Sequence, residues 1–311
     1  MEPSRNKFRR AEVFEVGPGD FNITSGKQQS TRKESTKQHS LLWVVLALVL
    51  IAIAIQFAVA QLNVTRVQAN SHIDAISAGF VSAQKAPCAH GNGPLNPNVP
   101  PGCNFNLSIW SLQLPTGSPG NPTTISSTQL TNGFTDQFFF TGSDGAMNFF
   151  DPGVNCVTTA NSKHCRSELR EVNPSVWSAS GTNTLSATLT VTQAAGAPVV
   201  GQIHLDPAVS VRPLIELFYT SGGDLVAGVE QCTAGGCETR TTVGHVSQGT
   251  RFSYVISYSH KKLTVSINGG TPHSLSSPIL GLGGYFKAGD YGQSPKAARV
   301  SFYSLKVVHA P

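Results

Sequence analysis

Residues 184 to 192 read Thr-Leu-Ser-Ala-Thr-Leu-Thr-Val-Thr, so Leu185, Ala187, Leu189 and Val191 alternate with hydroxylated residues. A period of two is that of a strand with one face buried and the other wet, and a helix would scatter those residues around its axis. Beyond residue 85 no long segment offers the competing helical period. Short β-type runs are separated instead by turn clusters. Phe105 to Leu114 ends at Pro115-Thr116-Gly117, Asp136 to Phe140 ends at Gly142-Ser143-Asp144-Gly145, and Ala146 to Phe150 follows. Phe252 to Tyr258 and Leu263 to Ile267 flank Ser259-His260-Lys261-Lys262 as a hairpin, Asn268-Gly269-Gly270 turns the chain again, and Ala298 to Val308 is the last run. The pattern predicts an all-β domain of two antiparallel sheets packed face to face.

The N-terminal part is built differently. Leu41 to Ala60 is an uncharged apolar run of 20 residues, the length that crosses a bilayer as a helix. Residues 1–40 before it are polar and aperiodic, which predicts a disordered tail. Lys27, Arg32, Lys33 and Lys37 precede the run and only Arg66 follows it closely, which leaves the tail in the cytoplasm and exports the rest. The expectation is a single-pass type II membrane protein anchored through residues 41–60. Ala58-Val59-Ala60 has the small-x-small form of a cleavage site, and cleavage near Ala60 is the alternative, giving a secreted domain. Residues 61–102 read as stalk and linker, with the ordered domain at 103–311.

All six cysteines lie on the exported side, where an even count reads as disulfides. Six thiols permit 15 connectivities, and the close spacing favours neighbours: Cys88 with Cys103, Cys156 with Cys165, Cys232 with Cys237. No Cys-x-x-Cys repeat or His pair at ligand spacing points to a metal. Sequons at Asn63 and Asn106 fit export as glycosylation sites. Of the net charge of +5, residues 1–60 contribute 8 basic against 5 acidic residues and the remainder 14 against 12. That is no basic field of the kind nucleic-acid binders show, so an anionic partner has to be recognised locally.

Three stretches offer such a place. In Arg166-Ser167-Glu168-Leu169-Arg170-Glu171, a strand puts Arg166, Glu168 and Arg170 on one face and Ser167, Leu169 and Glu171 on the other. Two guanidiniums around a carboxylate are costly to cover unless they satisfy each other or an anion. In Gln202-Ile203-His204, Gln202 and His204 share a face. In Tyr285-Phe286-Lys287-Ala288-Gly289-Asp290-Tyr291-Gly292-Gln293, the odd positions Tyr285, Lys287, Tyr291 and Gln293 share one, and Gly289 leaves a gap beside Tyr291. Singly, each has an ordinary structural explanation. Side by side they would line a groove with donors for carboxylates and two groups able to move protons. A polyuronate requires that combination, because loss of the C5 proton next to a carboxylate needs the carboxylate's charge neutralised, a base for the proton and an acid for the departing O4. No cofactor is called for.

RSELRE at 166–171, QIH at 202–204 and YFKAGDYGQ at 285–293, in this order, resemble the motifs of the alginate lyases of polysaccharide lyase family 7. Trp110 to Gly117 and the Asp144-Gly145-Ala146-Met147 stretch support the resemblance, which covers roughly 103–311. It implies a jelly-roll β-sandwich with an open groove, acting on alginate or a similar acidic polysaccharide by β-elimination, as a monomer. By this resemblance Arg166 and Gln202 bind and neutralise the carboxylate, His204 accepts the C5 proton and Tyr291 donates to O4, although in the family the tyrosine can also serve as base. Arg170 and Lys287 hold neighbouring carboxylates, Tyr285 lines the groove, Gln293 supports Tyr291, and Glu168 orients the two arginines. The Ile form of the middle motif is associated in the family with guluronate-containing linkages. Rival readings are a lyase for glucuronan or another polyuronate and, in a different class, a non-catalytic uronan-binding lectin-like module, against which an intact His204 and Tyr291 count.

Overall fold

The computed structural model describes residues 93–311. The polar tail, the apolar run, Asn63 and Cys88 lie outside the described residues. Within them, alternation builds two sheets whose strands all pair antiparallel. In chain order the elements are α1 (Pro101–Asn104), β1 (Trp110–Ser118), β2 (Asn121–Ile125), α2 (Ser127–Thr131), β3 (Phe139–Thr141), β4 (Met147–Asp151), β5 (Arg166–Glu171), β6 (Thr182–Gln193), β7 (Val199–Leu205) and β8 (Pro213–Tyr219). There follow β9 (Asp224–Glu230), β10 (Glu238–His245), β11 (Phe252–Ser259), β12 (Lys262–Ile267), β13 (His273–Leu275), β14 (Gly284–Tyr291) and β15 (Ala298–Ala310). One sheet runs β10-β9-β8-β7-β14-β5-β1-β2, and the other β13-β12-β11-β6-β15-β4-β3.

The core lies between them. Leu185, Ala187, Leu189 and Val191 of β6 turn inward as their spacing requires, and meet Leu112, Leu169, Ile203, Phe286 and Ala288 from the first sheet, all at most 2 % exposed. Phe149 packs on Phe139 and Phe302 at ring separations of 5.2 and 5.3 Å, and burial of each such ring stabilises the fold by about 2 kcal/mol. Glu171, on the inward face of β5, is fully buried and accepts hydrogen bonds from Trp177 Nε1 (3.0 Å), Phe286 N (2.9 Å) and His309 Nε2 (2.7 Å). It thereby ties β5 to β14 and to the end of β15. Because the apolar residues of β5, β7 and β14 must face this core, their polar alternates face away from it, onto the open side of the first sheet.

Several expectations are revised by the folded chain. Residues 93–102, read as linker, are packed: Leu95 lies against the core, Thr141 Oγ1 donates to Val99 O (2.7 Å) and Asn96 N to Asn104 Oδ1 (2.9 Å). Two short helices interrupt the β pattern. α2 is held by a capping box in which Ser126 Oγ accepts from Gln129 N and Gln129 Oε1 from Ser126 N, and five residues are too few to show a period. The first strand starts at Trp110 rather than Phe105, because Asn106 Oδ1 accepts from Ser108 N and forms a turn. Strands β8, β9 and β10 carry no clean alternation, since β8 is buried on both faces for much of its length. The pairings Cys156–Cys165 and Cys232–Cys237 are present; the pair Cys88–Cys103 falls partly outside the described residues. Among the described residues no helix is long and apolar enough to cross a membrane.

Candidate active site

Strand order brings the three motifs together. β14 lies between β7 and β5, with Tyr285 opposite His204, Lys287 opposite both Gln202 and Arg170, and Tyr291 opposite Arg166. Neighbouring strands are about 4.8 Å apart, so these side chains form one surface. They floor an open groove of about 370 Å³ that also takes in Gln113 of β1 and Thr159, Asn161 and Ser162 of the loop before β5.

Its centre is Glu168, only 1 % exposed. Oε1 accepts from Gln202 Nε2, and Oε2 accepts from Lys287 Nζ and from Arg166 Nη1 at 3.2 Å. A buried carboxylate survives when donors surround it, and here three do. Of the two arginines the resemblance has Glu168 orient, it bonds Arg166, whereas Arg170 lies over the Tyr285 ring with Cζ 4.4 Å from its centroid. Arg166 lies 4.0 Å over the Tyr291 ring. Three cations thus face one carboxylate at the centre of the floor, and the surplus is positive.

At one end of the floor His204 stacks on Tyr285, rings 5.1 Å apart and 15° from parallel. Burial, then the charges of Lys287, Arg166 and Arg170, lower its pKa to about 3, so the ring is neutral with a free lone pair at ordinary pH. Burial also lowers Lys287 to about 8 against the pull of Glu168, and it remains a cation at neutrality. On the other side of Lys287, whose Nζ is 5.9 Å from its ring centroid, stands Tyr291. Its hydroxyl is 3.1 Å from Ser162 Oγ, and His164 meets its ring edge-on at 5.9 Å. Gln293 is displaced from this surface: β14 has ended, and Gln293 Nε2 donates to the Tyr291 carbonyl at 3.3 Å. It supports the backbone of Tyr291 and does not line the groove.

Two further groove residues lie outside the three motifs. Ser162 sits in the loop closed by Cys156–Cys165, whose Val157 N donates to Pro115 O of β1; nothing local marks its hydroxyl for the groove. Glu216 of β8 faces Gln202 in register and lines the groove. Burial, then the nearby carboxylates Glu238 and Glu168, raise it to about 7.

An open groove on the outer face of a two-sheet antiparallel sandwich, floored by arginines, a lysine, a neutral histidine and a tyrosine, defines a protein that handles acidic polysaccharides. Comparison with known proteins names the family. The family described as alginate lyase, Alginate_lyase2, matches residues 105–309, and the chain belongs to it, among the alginate lyases of polysaccharide lyase family 7. An alginate lyase of Klebsiella pneumoniae is 28 % identical over 282 residues, covering 67 % of this chain and 91 % of that protein. Family 7 alginate lyase A1-II′, solved with a histidine replaced by asparagine and a tyrosine by phenylalanine in complex with substrate (GGMG), is 34 % identical with a TM-score of 0.62, over 69 % of this chain and 98 % of that one. Alginate lyase PA1167 from Pseudomonas aeruginosa is 31 % identical with a TM-score of 0.58, over 66 % of this chain and 99 % of that one.

Proposed function

We propose that the groove cleaves alginate by β-elimination, with His204 as base and Tyr291 as acid. The observation that carries this is the strand register, which lines one cationic groove with a neutral His204 and with Tyr291, on either side of Lys287, whose Nζ is 5.9 Å from the Tyr291 ring centroid and whose charge acts on His204. The uronate carboxylate binds over Arg166, Gln202 and Lys287, with Arg170 and Tyr285 holding the adjoining sugar. Those donors spread the charge that builds on the carboxylate as C5 loses its proton. His204 takes that proton, the C5–H electron pair becomes the C4=C5 double bond, the C4–O4 bond breaks, and Tyr291 protonates O4. The products are a new reducing-end sugar and a 4,5-unsaturated uronate. Solvent then takes the proton from His204 and returns one to the Tyr291 phenolate. Binding an anion also offsets the three cations around His204 and raises its basicity when it is needed. The substrate-bound A1-II′ variant lacks one histidine and one tyrosine, which supports a histidine and tyrosine pair.

The test is to incubate the full chain with polymannuronate, polyguluronate and glucuronan and follow the ultraviolet absorbance of the unsaturated ends. Alginate blocks yield it. His204→Ala loses about 10²- to 10⁴-fold in rate while still binding the polymer; full activity in that variant removes His204 from the mechanism.

Delivery completes the proposal: residues 41–60 anchor the enzyme, as a monomer, on the outer or lumenal side of a membrane. The basic residues before the apolar run, the two disulfides and the exposed sequon at Asn106 support this reading. Alkaline extraction of membranes and a glycosidase shift on gels check the anchor and the glycan.

A further inference from the structure

The surroundings of Ser162 fix the direction of a hydrogen bond that matters to Tyr291. A serine hydroxyl has one hydrogen and two lone pairs. Arg166 Nη2 lies 3.0 Å and His164 N 3.2 Å from Ser162 Oγ, and guanidinium and amide N–H groups only donate. Both lone pairs are therefore in use. The remaining hydrogen has two acceptors in reach, Tyr291 Oη at 3.1 Å and the His164 carbonyl at 3.4 Å, and the shorter is nearer a normal O–H···O length. For Tyr291 to donate instead, Ser162 Oγ would need a third lone pair.

We propose that Ser162 is a positioning residue that donates its hydroxyl hydrogen to Tyr291 Oη, leaving the phenol's own proton free to go to the departing O4. The inference rests on the reading of Tyr291 as proton donor. As Tyr291 gives its proton to O4, the phenolate keeps the hydrogen bond from Ser162, and Arg166 polarises that hydroxyl through its bond to Oγ while lying over the ring. The loop is built to hold the serine there. It is closed by Cys156–Cys165, Ser162 N donates to Thr159 O at 3.0 Å, and Gly120 bridges to Thr159.

Ser162→Ala and Ser162→Thr, made in the full chain and in a Tyr291→Phe background, test it. Ser162→Ala lowers kcat about tenfold with KM within about twofold, and Ser162→Thr restores most of the rate. In the Tyr291→Phe background the alanine costs nothing further, because it acts through the hydroxyl already removed. The near-ultraviolet signal of Tyr291 ionisation, taken as the difference between each chain and its Tyr291→Phe counterpart, moves up by about one pH unit in Ser162→Ala. An unchanged kcat, an effect on KM alone, an equal loss without the Tyr291 hydroxyl, or an unmoved ionisation signal overturns the proposal. If the unmodified chain makes no unsaturated ends, the lyase reading falls, and the ionisation signal by itself decides the hydrogen bond.

Discussion

Glu216 and Lys287 set how this groove responds to pH. Burial beside Glu238 and Glu168 raises Glu216 from 4.5 to about 7, and burial lowers Lys287 to about 8. As pH rises through both values the floor first gains a negative charge and then loses a positive one. Affinity for a polyuronate therefore falls on the alkaline side and KM rises, and kcat falls with it once Lys287 loses its charge, because Lys287 is among the donors that stabilise the carboxylate as C5 loses its proton. Glu216→Gln removes the first of these two steps, which a KM profile across neutral pH reads directly. The same residue is linked to stability. A carboxyl whose folded pKa lies above its unfolded value holds an extra proton in the folded chain between the two. Glu216 thus subtracts stability as pH rises from 4.5 to about 7. Glu216→Gln should raise the melting temperature at neutral pH and leave it nearly unchanged in acid, in differential scanning calorimetry.

At the scale of the element, β14 carries the groove, and Gly289 is its weak point. Its φ of +149° is outside the range side chains favour, and a Cβ there would come 2.7 Å from Ser167 O and 2.8 Å from Glu168 Cα of β5. Both are backbone atoms in a paired strand and cannot step aside cheaply. Gly289→Ala should cost at least about 1 kcal/mol and part β14 from β5, so that activity falls further than stability alone explains. Chemical denaturation beside the elimination assay separates the two effects. The gap that the sequence suggested beside Tyr291 is thus filled by the backbone of β5, and the glycine is required for strand contact. The disulfide loop behaves as a second element. Cys156→Ser with Cys165→Ser frees the segment that holds Ser162, and a disulfide across such a short loop stabilises by about 3 kcal/mol in the chain-entropy view. The pair should lower the melting temperature and also slow turnover at temperatures where the chain remains folded.

For the whole molecule, the excess positive charge is local. The chain as a whole carries +5, yet at the centre of the groove Arg166, Arg170 and Lys287 outnumber the carboxyls of Glu168 and Glu216. Attraction to a polyanion over a partly open surface is screened within about 8 Å at physiological salt. KM for alginate should rise steeply with added sodium chloride while kcat holds, and a neutral polysaccharide should neither bind nor compete. A salt-independent KM would show that hydrogen bonds, and not charge, hold the polymer. What the sequence determined by itself follows from local rules. A period of two fixed the strands of β6, β11 and β15 and the faces of Arg166, Gln202, His204, Lys287 and Tyr291, and close spacing of cysteines anticipated two disulfides. It also placed Glu171 and Glu168 on opposite faces of β5, as they are. Only the tertiary structure decided which of those side chains meet. Glu168 takes two of its three donors from 34 and 119 residues away, and Ser162 reaches Tyr291 across 129. Alternation tells a side chain which face to take and nothing about which strand lies beside it, because strand order and register are settled by burying the apolar faces of both sheets at once.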